Sequence, residues 1–231
     1  MNFKSLSASC LLGATIISGF ASLAQAENEK NTNNDYFVQF NLGGSITSSK
    51  TIEFQVDNKV YSGTGNIPSG LVGLETGVNV NENIRLSLSA DYRPVYPFDV
   101  KDGGTKIGSL DAYSFSSMIN GYYDFHNSSN FTPYLTAGLG FAQNHTKIDQ
   151  ENNGLSVNKK TTDNFAYKLG LGSKYSISQN FDFDIRYQFV DLGKYKFSDT
   201  ATLYGVQYPV QGSKSVSMQV HELLIGLAYK F

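Results

Sequence analysis

The sequence predicts an all-β fold: an eight-stranded antiparallel up-and-down transmembrane β-barrel. Three observations predict it. Apolar residues recur at every second position from Tyr36 to the end, which is the period of a strand. The connections between these segments alternate between short and long. The acids and bases of the segments all fall on the face opposite the apolar one.

Composition agrees. The chain has 231 residues, 16% charged and 40% apolar, with Gly 22, Tyr 15, Phe 16 and Pro 5. Lys+Arg 18 against Asp+Glu 20 gives a formal net charge of −2, which excludes a strongly basic nucleic-acid binder. The mean hydropathy of −0.26 excludes a helical membrane protein but not a barrel, whose strands alternate.

The N-terminus reads as an export signal over residues 1–26. Lys4 supplies the positive charge, Leu11 to Phe20 an apolar stretch, and Ala24-Gln25-Ala26 a small-x-small cleavage site. The expected route is the Sec pathway. The only cysteine, Cys10, lies inside the signal. Disulfides, thiolate metal sites and cysteine nucleophiles are therefore excluded from the mature chain. Residues 27–34 (ENEKNTNN) are a polar segment expected in the periplasm. The barrel is expected over 35–231.

Each strand follows from its alternation. The first carries Tyr36, Val38, Phe40, Leu42 and Ile46 against Gln39, Asn41 and Ser45. The second carries Val72, Leu74, Val78 and Val80 against Gly73, Glu75 and Gly77. The third sets Ile84, Leu86, Leu88 and Tyr92 against Arg85, Asp91 and Arg93; the fourth sets Tyr113, Phe115, Ile119 and Tyr123 against Ser116, Asn120, Tyr122 and Asp124. The fifth sets Leu135, Leu139 and Phe141 against Thr136, Gly138 and Gly140; the sixth sets Phe165, Tyr167, Leu169 and Leu171 against Lys168, Gly170, Gly172 and Lys174. The seventh sets Phe181, Phe183, Ile185 and Phe189 against Asp182, Asp184, Arg186 and Gln188; the eighth sets Leu223, Ile225, Leu227, Tyr229 and Phe231 against Glu222, Gly226 and Lys230.

Short turns fall at 81–83, 126–130 and 178–180, and long polar loops at about 48–69, 94–109, 144–162 and 193–215. Short turns on one side and long loops on the other is the outer-membrane layout. An even strand count puts both chain ends in the periplasm and the four long loops outside.

The polar face holds six acids (Glu75, Asp91, Asp124, Asp182, Asp184, Glu222) and six bases (Arg85, Arg93, Lys168, Lys174, Arg186, Lys230). A base on the lipid face near the midplane costs about 2–4 kcal/mol, so this face is expected inside. Eight strands enclose a lumen that side chains fill. The expectation is a plug of lumen ion pairs, with a narrow water path as the alternative. The inward glycines make room for these chains or ease curvature. Aromatics gather at both strand ends: Phe125, Phe131, Tyr175, Phe181, Tyr229 and Phe231 at the short turns, Tyr92, Tyr113, Phe141, Phe165, Tyr167 and Phe189 at the loops. These are two interfacial girdles.

Three stretches carry a family resemblance: His221–Phe231 (HELLIGLAYKF), Thr132–Gly140 (TPYLTAGLG) and Tyr187–Gly193 (YQFVDLG). They resemble the opacity-type, OmpA-like outer-membrane barrels. The resemblance implies an eight-stranded barrel in a Gram-negative outer membrane that acts as a surface antigen, adhesin or envelope-stabilising protein. It implies outer-membrane lipids, lipopolysaccharide and the barrel-assembly machinery as partners, with host surface molecules meeting the loops. The terminal Tyr229 and Phe231 resemble the assembly signal of such barrels. The sequence stops at Phe231, so no peptidoglycan-binding domain is expected.

No catalytic, cofactor or metal site is expected. His126-Asn127-Ser128 resembles the His-x-Ser of lipid A deacylases but falls in a periplasmic turn. His221-Glu222 would need a second histidine where Ile225 stands. Loop one (Ile52, Phe54, Val56, Val60, Tyr61) and loop four (Tyr195, Phe197, Leu203, Tyr204, Val206, Tyr208) are apolar enough to be hairpin extensions of the strands or anchors for a host ligand. A small channel and a lipid-modifying enzyme are the alternative functions.

Overall fold

The computed structural model describes residues 36–48, 52–56, 59–63, 67–94, 98–102, 105–150, 155–196, 198–203, 205–209, 211–212 and 215–231. The proposed signal peptide and the segment 27–34 lie outside the described residues. So do Phe197 and Tyr204 of loop four.

Among the described residues fourteen strands follow one another: β1 Tyr36–Ser48, β2 Ile52–Val56, β3 Lys59–Gly63, β4 Ile67–Asn79, β5 Ile84–Pro94, β6 Phe98–Asp102 and β7 Thr105–Asp124. Then come β8 Phe131–Gln150, β9 Leu155–Ser176, β10 Phe181–Lys196, β11 Thr200–Leu203, β12 Val206–Pro209, β13 Gln211–Gly212 and β14 Ser215–Lys230. Eight of them are barrel staves in the order β10-β14-β1-β4-β5-β7-β8-β9, and β9 pairs with β10 to close the ring. Every stave pairing is antiparallel. Closure leaves no open edge in the hydrocarbon, where an unpaired amide would find no partner.

Side-chain parity matches the sequence through the eight staves. Phe141 on the outside is 66% exposed, while Asn120, Gln188 and Glu222 on the inside are buried. Adjacent short turns are stitched together. The Asn81 carboxamide oxygen caps the amides of Asn83 and Ile84 at 2.9 and 2.8 Å. Lys230 N donates to Asn180 O at 2.8 Å, and Phe231 N donates to Tyr36 O at 3.0 Å.

The strand limits differ from the sequence reading. β7 and β8 each run 20 residues and β9 runs 22, so much of loops two and three is strand. Twenty residues reach about 68 Å at about 3.4 Å each. Tilted by about 45° they rise about 48 Å, against a hydrocarbon thickness of about 30 Å. The surplus stands above the membrane. Loop one pairs as β2–β3, and β13 of loop four pairs with β2. Of the two readings left open for loops one and four, hairpin extension describes the backbone.

A second difference concerns the lumen, which is not polar throughout. At its loop end Ala112, Met118, Ala142, Ala166, Val190, Leu192, Tyr195, Met218 and Val220 form one buried apolar cluster. A β-bulge between Asp191 and Lys194 turns Tyr195 inward into it. Gly193 sits in that bulge at φ 74°, a left-handed conformation that costs glycine nothing.

Candidate functional site

Two parts of the molecule gather chemistry: the lumen and the platform above the membrane. The lumen is layered. At the short-turn end Arg85 grips Asp124 with two bonds, Nε at 2.8 Å and Nη2 at 2.9 Å. Lys174 Nζ reaches the same carboxylate at 2.7 Å, and Lys230 Nζ donates to Asp182 at 2.9 Å. The Arg85 guanidinium lies 4.3 Å from the Tyr122 ring centre and 5.0 Å from that of Tyr134, a caged cation. A cavity of about 980 Å³ opens at this end, with Arg85, Asp124, His126, Lys174, Asp182 and Lys230 among its lining.

In the middle layer Glu75 accepts from Arg186 Nη1 at 3.3 Å, from Ser87 Oγ at 2.6 Å and from the Tyr122 hydroxyl. Arg186 Nη1 also donates to Tyr122 Oη at 2.6 Å, and Tyr134 Oη donates to Asp184 at 2.7 Å. Above them Arg93 holds Glu222 through Nε at 2.6 Å and Nη2 at 3.2 Å, with Asp91 3.5 Å away. Gln188 donates to Glu222 at 2.6 Å, and Lys168 Nζ donates to Ser89 at 3.4 Å. The apolar cluster stands over this layer.

All twelve charged residues singled out in the sequence thus point into the lumen. Asp184 is met by a tyrosine and Lys168 by a serine. Sequence reasoning passed over Tyr122, Tyr134, Ser87, Ser116 and Gln188 as partners. Their signal was their parity with the charges. At some inward glycines the room is needed: a Cβ at Gly138 would strike Asn120 Oδ1 and lie 3.0 Å from Lys168 Cε. Tyr229 and Phe231 lie exposed at the short-turn end, their rings 5.1 Å apart. Among the described residues no group of three or more His, Cys, Asp or Glu is placed to hold a metal.

On the platform the outer wall of β7, β8 and β9 is polar and aromatic. His145 stacks on Tyr113, with ring centres 4.3 Å apart and planes 10° apart. Lys159 Nζ donates to Tyr113 Oη at 3.2 Å, and Gln143 donates to Asp163 at 2.9 Å. Burial, and then the Lys159 charge, hold the His145 imidazole below its ordinary pKa of 6.5, against an opposing pull from Asp163.

A closed eight-stave barrel, apolar outside and ion-paired inside, is an integral β-barrel of an outer membrane. The chain matches the family model described as "Outer membrane protein beta-barrel domain" over residues 12–231 and belongs to that family. It is similar to outer membrane protein PagN of Salmonella typhimurium, 35% identical over 128 residues. That match covers 49% of this chain and 48% of PagN, so it spans about half of the relative. It is also similar to the candidate adhesin RC1281 of Rickettsia conorii, 28% identical over 223 residues, covering 85% of this chain and 82% of RC1281. Neisserial surface protein A shares the fold, with a TM-score of 0.55 at 19% identity over 85% of this chain and 97% of its own. OprG from Pseudomonas aeruginosa does so equally, at 0.55 and 19%, over 85% of this chain and 96% of its own.

Proposed function

We propose that this outer-membrane protein is a non-enzymatic adhesin: the barrel is a closed scaffold, and the platform above the membrane is the contact surface for host molecules. The observation that carries this reading is the continuation of β7, β8 and β9 well beyond the upper aromatic girdle as paired sheet. That rigid extension presents side chains at low ordering cost. Relatives that are named as candidate adhesins support it.

The rest of the assignment follows from that reading. Residues 1–26 are the signal peptide, 27–34 a periplasmic segment and 35–231 the barrel. The twelve lumen charges plug the barrel, and Tyr229 and Phe231 are the signal for the assembly machinery. Outer-membrane lipids and lipopolysaccharide surround the barrel. His126 and Ser128 lie in a turn at the periplasmic end, where a lipid A substrate of the outer leaflet would not reach them.

The test displays the protein on a non-adherent Gram-negative host and counts binding to epithelial cells, beside a variant with the four extensions trimmed to short turns. Surface expression of both is measured. Binding that disappears with the extensions is expected; equal binding by both, or none by either, overturns the reading.

One observation favours a small channel, namely the charged cavity at the periplasmic end. The apolar cluster above it opposes conduction. Discrete current steps in planar bilayers would establish the channel; silence with folded protein would remove it.

A further inference from the structure

The lipid-facing wall carries a slot that the other residues do not require. Its floor is Gly121 and Ala137, which face each other across β7 and β8. Ile119, Leu139 and Leu169 form its walls, Phe165 and Tyr167 lie at its upper end, and the volume is about 630 Å³. Gly121 points outward in phase with Ile119 and Tyr123. A Cβ there would meet nothing nearer than Leu86 Cδ2 at 4.0 Å, and its backbone has no positive φ. Neither packing nor conformation calls for glycine. Gly140 differs: its Cβ would collide with the Ser117 carbonyl.

The slot starts at the middle of the wall and opens upward. Gly121 stands four residues from Phe125 and eight from Tyr113 on β7, and Ala137 stands six from Phe131 and four from Phe141 on β8. From them the slot runs toward Phe165 and Tyr167 of the outer-leaflet half. On the same three strands, at the girdle, the exposed Lys159 ammonium is steadied by the Tyr113 hydroxyl. A slot for one apolar chain beneath a cation fits a phosphorylated glycolipid.

We propose that Gly121 and Ala137 form a seat for one acyl chain of an outer-leaflet lipid A, whose phosphate meets Lys159. The seat is independent of any adhesive role. A lipid held there would fix the extended β7–β9 wall against the leaflet.

The protein, extracted from outer membranes in mild detergent, is weighed by native mass spectrometry to count bound lipid A. Its variants are Gly121→Leu with Ala137→Leu, Ala137→Leu alone, Lys159→Gln, and Ala90→Leu as a lipid-facing control outside the slot. Folding of each is read from heat-modifiable gel mobility, and the single Ala137→Leu variant carries the test where the double one does not fold. One lipid A per wild-type barrel is expected. The double variant should lower the bound fraction about tenfold, Lys159→Gln several-fold, and Ala90→Leu not at all. Equal retention by wild type and the slot variants overturns the proposal. So does wild type that carries no lipid A, or carries phospholipid in its place.

Discussion

The same staves obey opposite rules in their lower and upper halves. On β14, Leu223, Ile225 and Leu227 face out while Glu222 and Gly226 face in; above them Gln219 and Ser217 face out while Val220 and Met218 are buried. β10 changes in the same way, from inward Asp184, Arg186 and Gln188 to inward Val190 and Leu192, with Val190 fully buried. On β8 the change falls between Phe141 and Ala142, which is 1% exposed. Below the change the interior is mostly polar and the outside apolar; above it the outside is polar and the interior gathers apolar side chains, with the buried Asn144 and Thr146 among them. The solvent outside the wall sets the rule, and the point of inversion marks the outer membrane surface on these strands.

The largest effect expected from this contrast is in the lower lumen. Arg93 is buried and holds Glu222 and Asp91. Arg93→Met leaves two carboxylates buried without their cation. Breaking a buried pair in this way costs about 3–5 kcal/mol. Urea unfolding from lipid vesicles should read that loss, and the double variant Arg93→Met with Glu222→Leu should recover part of it. A loss below about 1 kcal/mol would mean that water, rather than protein, solvates the layer.

Next in size, one arginine placed on either side of the inversion should separate the halves directly. Leu135→Arg puts a charge on the lipid face near the midplane and should cost about 2–4 kcal/mol. Gln143→Arg, eight residues along the same outward row, faces water and should stay within about 0.5 kcal/mol. Equal costs in vesicle unfolding would show that the surface assigned between Phe141 and Ala142 is misplaced.

A smaller contrast separates two glycines. A Cβ at Gly140 would run into the Ser117 carbonyl and the Met118 Cα, whereas one at Gly121 has open space. Gly140→Ala should therefore lose about 1–3 kcal/mol through forced backbone shifts. Gly121→Ala should change stability by less than about 0.5 kcal/mol. Melting of the two variants in one lipid mixture reads the difference.

The inversion also explains how far the fold was legible. The eight staves, their parity, the short turns and the twelve inward charges all follow from one assumption, that apolar residues face out. Past His221, Phe189 and Phe141 the apolar residues face in, so the alternation loses phase and the reading ends the strands there. On the outer wall of β7–β9, Gln143, Asp163 and Lys159 carry no apolar signal at all, and backbone hydrogen bonding alone continues the sheet. The apolar cluster was hidden for the same reason: Val190, Leu192 and Met218 stand just past the alternation that was read as strand, outside both the strands and the loop at about 193–215. Individual pairings such as Arg93 with Glu222, 129 residues apart, depend on ring closure, which alternation does not encode. The Gly121–Ala137 slot was missed because glycine and alanine on a lipid face have no chemistry of their own.

The smallest effect expected lies on the platform, at His145. Its folded pKa is below 6.5 because burial and the Lys159 charge disfavour the imidazolium. The unfolded chain therefore binds the proton more readily, and the contribution of His145 to stability is present above about pH 6.5 and lost as pH falls through the folded pKa. Lys159→Gln removes one of the two causes and leaves the stack on Tyr113 in place. An NMR titration of the His145 ring should show the pKa rise toward its ordinary value without reaching it, because burial remains. Protection of the β7–β8 amides around the stack should then hold to lower pH than in the wild type. No change in the titration would mean that water screens Lys159 from the ring, and that burial alone sets the proton affinity of this part of the wall.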